Sequence, residues 1–134
     1  MSDPGSASTE TVIDWPGLEA RFADRLDFAE RLLRSALDYY GDTPDQLERC
    51  IAVGDIEGIG RIAHGLKSTG GNLMAPRLRD TARQTDLQIR QRNAEDALHL
   101  AGELHGLLCS LLSESRRWLA KRQRAEQRNE EEGS

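Results

Sequence analysis

The sequence predicts an all-α protein: an antiparallel four-helix bundle with a short additional N-terminal helix. Apolar residues recur at three- and four-residue spacings through most of the 134-residue chain, the pattern of amphipathic helices. Aromatic residues make up 4% and charged residues 31%, a balance that suits helices whose cores are built from leucine, isoleucine and alanine. Glycine, proline and capping residues divide the pattern into helix-sized pieces. The length holds one domain with one core and is too short for two.

Residues 1–11 are small, polar and aperiodic, and a disordered N-terminal segment is expected there. The folded unit is expected over 12–122, followed at 123–134 by a frayed or disordered charged tail. Asp14-Trp15-Pro16 reads as the cap of a short helix running to about Phe22, with proline placed where its missing N–H costs no hydrogen bond. Trp15 is expected to anchor that helix to the bundle.

From Asp24 to Tyr40, one apolar face carries Leu26, Ala29, Leu33, Ala36, Leu37 and Tyr40. A second carries Phe28, Leu32 and Tyr39, so this helix should touch more than one neighbour. Gly41 should end it. Thr43-Pro44-Asp45-Gln46 then reads as a capping box that opens a helix of about ten residues. Gly54-Asp55 breaks and recaps the chain before a helix from Ile56 to about Gly70. Ala75-Pro76 starts the next, with Leu78, Ala82, Thr85 and Ile89 inward and Arg77, Arg79, Arg83 and Arg90 on a solvated face. Asn93 caps the last helix, whose stripe of Ala97, Ala101, Leu104, Leu108, Leu111, Ser115 and Leu119 is long enough to span the bundle and overhang it.

A net charge of −5 and a pI near 5.2 argue against a broad electrostatic grip on nucleic acid. Between Arg61 and Arg92 lysine and arginine outnumber the acidic residues, while acidic residues dominate the N-terminal part and the last positions. Cys50 and Cys109 each sit in an apolar helical pattern and read as buried free thiols rather than a disulfide. The sequence shows neither a secretory segment nor an apolar run of transmembrane length, so a cytoplasmic location without direct membrane contact is expected.

The most informative residue is His64. Ile56, Ile59, Ile62, Ala63, Leu66 and Leu73 share one stripe of their helix, and His64 falls roughly 150° from its centre. A helix that buries the isoleucines must therefore present the imidazole to solvent. Gly60 and Arg61 lie about one turn before it, Lys67 and Ser68 one turn after, and Gly71 two turns after. Glycine in a helix interior costs about 1 kcal/mol relative to alanine, yet Gly58, Gly60, Gly65, Gly70 and Gly71 all fall in this segment. At Gly58 and Gly70 a helix-end role stands level with close approach of another chain. Gly60 fits close approach better, and Gly60, Arg61 and Gly71 are the expected partner-contacting positions.

Imidazole is the side chain that titrates nearest neutrality, so a neutral nucleophile able to attack a phosphoryl group is available. Phosphoryl transfer asks little of a protein beyond positioning and cancelling negative charge on the equatorial oxygens. Lys67 is placed to supply that charge and Ser68 one hydroxyl hydrogen bond. There is no Gly-rich phosphate loop after a strand and no kinase signature, so ATP binding is not expected. Asp96-x-x-His99 resembles half of a helix-borne metal site, but the second Glu-x-x-His and the further glutamates are missing, so neither metal nor cofactor is expected.

The stretch His64-Gly65-Leu66-Lys67-Ser68-Thr69-Gly70-Gly71-Asn72-Leu73-Met74-Ala75 resembles the histidine-containing phosphotransfer (HPt) domains of multistep phosphorelays. The family pattern is roughly His-x-Leu-Lys-Gly-x-x-x-x-x-Gly-Ala. The likeness covers most of 12–122, with Gly54-Asp55 before the histidine helix and Ala82 and Asp86 in the helix after it. It implies a four-helix bundle whose exposed histidine takes phosphate from, and returns it to, an aspartate of a receiver domain. On this resemblance His64 is the phosphoacceptor, Lys67 neutralises phosphate charge and Gly71 is the small residue that admits the receiver. Ser68 stands where glycine is usual and adds a hydroxyl. Met74 replaces the glycine before Ala75, which bears on loop geometry.

The implied partners are receiver domains of a hybrid sensor kinase or of a response regulator. The implied role is a monomeric carrier without ATP-dependent kinase activity of its own, either free or as the C-terminal domain of a membrane-bound hybrid kinase. Two other readings stand beside it. One is a non-catalytic helical interaction module. The other is the dimerisation and phosphoacceptor domain of a sensor kinase, where an acidic residue normally follows the histidine and a proline comes soon after. Gly65 and the lack of proline before Pro76 argue against the latter.

Overall fold

A computed structural model describes residues 10–133. The expected disordered segment falls outside the described residues over 1–9, as does Ser134 of the tail. Six helices follow in order: α1 (Trp15–Arg21), α2 (Leu26–Tyr40), α3 (Thr43–Val53), α4 (Ile56–Asn72), α5 (Pro76–Arg90) and α6 (Ala94–Gly133). The short turns at 73–75 and 91–93 make α4, α5 and α6 consecutive antiparallel neighbours. The fourth side of the bundle is α2 and α3 in series. Both pack on α6, and α3 also packs on α4.

Gly41 joins that pair in a way the sequence does not suggest. It keeps right-handed helical angles (φ −56°, ψ −38°), as does Asp42, so the chain bends there rather than reversing. The expected capping box is absent. Thr43 is drawn into the helix and buried, and Asp42 takes the cap position with no side-chain hydrogen bond. At the other end of α3, Gly54 adopts φ +71°, the left-handed conformation that glycine enters without a Cβ penalty. The following N–H, of Asp55, returns to the Cys50 carbonyl at 2.8 Å.

The core joins Leu33, Leu47, Ile59, Ala63, Leu66, Leu78, Ala82, Leu104, Leu108 and Leu111, all fully buried. These are the inward positions of the helical stripes. Two expectations fail at the edges. Cys109 is exposed and Cys50 only half-buried, because Leu108 and Leu47 hold the neighbouring core positions. Burial and the nearby Asp55 carboxylate push the Cys50 thiol up. As expected of a helix with two apolar faces, α2 meets more than one neighbour, α1 and α6; on the second face Phe28 packs on Phe22 with ring centroids 5.5 Å apart and Leu32 packs on the core, while Tyr39 stands 78% exposed.

The N-terminal segment is tied down by one buried acid. Glu114 of α6 accepts the backbone N–H groups of Val12 at 2.8 Å and Ile13 at 3.1 Å, and the indole N–H of Trp15 at 3.1 Å. Trp15 stacks on Trp118 with ring centroids 5.9 Å apart, the anchoring role expected of it. Met74 holds φ +54° in the turn after α4, so the glycine-like backbone conformation is kept without glycine. Its carbonyl accepts the Asp14 N–H at 2.8 Å, and its methyl group packs against Gly17 of α1. Farther along, Arg122 binds Glu30 at 2.9 Å and Asp27 at 2.6 Å, holding the Glu30 carboxyl below the usual carboxylate range. Beyond Arg122 the expected frayed tail is drawn out as a continuation of α6 to Gly133, with every side chain exposed.

Candidate functional site

The site is built on α4, and its frame is set before the histidine. The Asp55 carboxylate caps the helix by accepting the Gly58 N–H at 3.0 Å. Ile59, Ala63, Leu66 and Gly70 then turn inward and are buried. This fixes the helix rotation and leaves His64, midway along, on the outer surface. Among the described residues its side chain makes no hydrogen bond or ion pair. Ser68, one turn on, is likewise exposed and unbonded among the described residues.

His64 sits on a ridge with two unlike flanks. Toward α5 lie Gly60, Lys67 and Gly71. A Cβ on Gly60 would stand 3.5 Å from Ile89 Cδ1, and one on Gly71 would stand 4.0 Å from Arg79 Cδ, ordinary contact distances. Both glycines are half-buried beside α5, so this side of the ridge is a shoulder rather than open ground. Lys67 reaches across to Asp86 of α5, with Nζ 3.1 Å from Oδ2. Arg90 Nη2 lies 3.3 Å from the same oxygen.

Toward α2 and α3 lie Arg61 and Gly65. Arg61 is exposed and pairs loosely with Glu57 at 3.3 Å. A cavity lined by Tyr39, Tyr40, Gln46, Arg61, Ile62 and Gly65 runs along this flank. The Tyr40 hydroxyl bonds Thr69 Oγ1 at 2.8 Å and lies 3.2 Å from where a Gly65 Cβ would be. Thr69 in turn donates to the Gly65 carbonyl at 3.3 Å.

All six sequence-selected residues, Gly60, Arg61, His64, Lys67, Ser68 and Gly71, thus fall on one outer side of α4. The helix-end reading of Gly70 is overturned. The helix runs on to Asn72, and Gly70 is an interior crossing point where a Cβ would lie 2.7 Å from Arg79 N and 2.9 Å from its Cα. Sequence reasoning missed two site residues. Asp86 entered only through the resemblance, and Arg90 was placed on a solvated arginine face. In the structure that face is paired throughout, Arg77 with Glu10, Arg79 and Arg83 with Asp80, and Arg90 with Asp86. The signal that could have found them was the i, i+4 spacing of Asp86 and Arg90. Among the described residues no group of histidine, cysteine or acidic side chains could hold a metal ion. No helix among them is long and apolar enough to cross a membrane.

Among the described residues, the outer side of α4 thus carries an exposed, unpaired imidazole with a lysine one turn away. Comparison with known families gives this helical bundle its class: the family model described as "Hpt domain" matches residues 22–118. The chain belongs to the Hpt domain family. Membership carries a general role in histidine phosphotransfer within phosphorelays, as a carrier that interacts with receiver domains. No curated protein and no solved structure matches the chain.

Proposed function

We propose that His64 accepts a phosphoryl group from the aspartyl phosphate of one receiver domain and passes it to the aspartate of another. The observation that carries this reading is the position of His64: outward, unbonded, midway along α4, in a chain that the Hpt family model covers. In the forward step a ring nitrogen of neutral His64 uses its lone pair to form an N–P bond. The aspartyl O–P bond breaks, its electron pair leaves on the receiver's carboxylate, and the second ring nitrogen keeps its proton. Return transfer reverses each change.

Lys67 cancels part of the developing charge, and the Ser68 hydroxyl donates one hydrogen bond to a phosphoryl oxygen. Gly60 and Gly71 keep the shoulder beside α5 low enough for a receiver to settle, and Arg61 meets it from the other flank. The working unit is 12–122, since Val12 and Ile13 are buried against Glu114. We assign it a monomeric carrier role in the cytoplasm with no ATP-dependent activity of its own. A shuttle of this kind needs one exposed histidine and a modest transient interface. The donor and acceptor are receiver domains of a hybrid sensor kinase or of a response regulator.

The test is transfer from a panel of Asp-phosphorylated receivers to the wild-type chain and to His64→Gln. Acid-labile, alkali-stable label on wild type alone is the expected result. A receiver that binds both chains equally and labels neither would replace the carrier with a non-catalytic interaction module.

A further inference from the structure

Lys67 is not waiting free for a phosphate. Its ammonium is already spent on Asp86, and the same carboxylate oxygen also holds Arg90. The contacts differ in exposure. The Lys67 and Asp86 side chains are 27% and 19% exposed, whereas Arg90 stands 67% in water. Two cations on one oxygen, one sheltered and one solvated, make an arrangement with a spare partner.

We propose that Asp86 restrains Lys67 at rest and that Arg90 keeps Asp86 paired when Lys67 turns to phosphorylated His64. The three residues thereby set how far transfer lies toward phosphohistidine. This rests on the phosphotransfer reading of His64. A phosphoryl group brings roughly two negative charges to a point one helical turn from Lys67. The lysine stem is flexible and its ammonium has three donors, so it can swing from α5 to the phosphoryl oxygens without any change in the helix. That movement leaves the Asp86 carboxylate, mostly shielded from water, without its lysine. A sheltered carboxylate stripped of its partner is strongly unfavourable. Arg90, one turn along α5 and already in contact, remains as its counter-charge. The hand-over needs no other group to move.

The measurement is the equilibrium partition of phosphate between this chain and one receiver, at concentrations where the two are dissociated. Contacts made only in the complex cannot move that partition, so a docking role for Arg90 is silent in it. Asp86→Asn frees Lys67 and removes a repelling charge, and should shift the partition toward phosphohistidine by about fivefold, the scale of a partly sheltered ion pair. Arg90→Gln should shift it away from phosphohistidine by a similar factor, because Asp86 then has only Lys67. In the Asp86→Asn background, Arg90→Gln should change the partition by less than about twofold, since its target is gone.

Additive effects in the double variant would overturn the hand-over and make Arg90 an independent surface charge. A shift away from phosphohistidine in Asp86→Asn would also overturn it, by showing that Asp86 aims Lys67 rather than restrains it. Thermal melts of all three variants check that each is folded. If wild type takes no label, the carrier reading falls and this one with it. If wild type labels and the variants do not separate, the hand-over alone falls.

Discussion

The two flanks of His64 are held by different means. On the α5 side, backbone meets backbone where Gly70 crosses Arg79, Lys67 is bound to Asp86, and all the arginines of α5 are matched by carboxylates. On the side of α2 and α3, α3 packs on α4, α2 reaches it through the hydroxyl of Tyr40 on Thr69, and beyond these Tyr39 and Arg61 stand exposed along a cavity. The first flank fixes where the imidazole and its lysine sit. The second leaves side chains that can rearrange without breaking a bundle contact. The proposed carrier, passing phosphate between two receivers, would benefit from both, a rigid donor group on one side and an adaptable margin on the other.

The largest effect expected from that contrast is at Gly70. Alanine there puts a methyl carbon under 3 Å from the Arg79 backbone, which cannot yield as a side-chain tip can. Overpacking of this kind costs up to about 3 kcal/mol, against about 1 kcal/mol gained from helix propensity. Gly70→Ala should therefore lose about 2 kcal/mol in denaturant unfolding. A neutral Gly70→Ala would show that α4 and α5 can separate, and the flank called rigid would lose its title.

The Tyr40 contact should be worth less and should decide what Gly65→Ala does. Tyr40→Phe removes one hydrogen bond, a loss of about 1 kcal/mol. Gly65→Ala is close to neutral in the wild-type chain, because the gain in helix propensity offsets a methyl 3.2 Å from the Tyr40 hydroxyl. With that hydroxyl gone, Gly65→Ala should stabilise by up to about 1 kcal/mol. The cycle is read from urea midpoints of the four chains. Equal effects of Gly65→Ala in both backgrounds would mean that Tyr40 does not govern the turn carrying His64.

The contrast between flanks also separates what the sequence could reveal from what it could not. Rotation of α4 was legible, because Ile59, Ala63 and Leu66 recur at helical spacing and fix the opposite face. That periodicity alone puts His64 on the outside. What periodicity lacks is the stagger between helices, so it could not say that Lys67 lands level with Asp86 or that Gly70 lands on Arg79. Gly70 near the end of a periodic run looked like a cap because caps are the commonest use of glycine there. Thr43 looked like a cap for a similar reason, until burial drew it into the core and left Asp42 in its place. Glu114 gave no signal at all, since its partners, two backbone N–H groups and the Trp15 indole, lie about a hundred residues away in sequence.

The smallest effect on folding, and the sharpest test of the shoulder, lies at Gly60 and Gly71. The fold itself has room for alanine at both, 3.5 Å from Ile89 Cδ1 and 4.0 Å from Arg79 Cδ. Each substitution should raise stability by as much as about 1 kcal/mol, more at Gly60, which lies farther from the helix end. Packing thus gives no reason for glycine at either position, and the proposed carrier role supplies one outside the chain: a receiver coming close beside His64. Gly60→Ala and Gly71→Ala should then raise the melting temperature and slow transfer together, an opposition that a purely structural role cannot produce. If transfer keeps its rate while the melt rises, the receiver does not cross the α5 shoulder. Its approach then lies over Tyr39 and Arg61, on the adaptable flank.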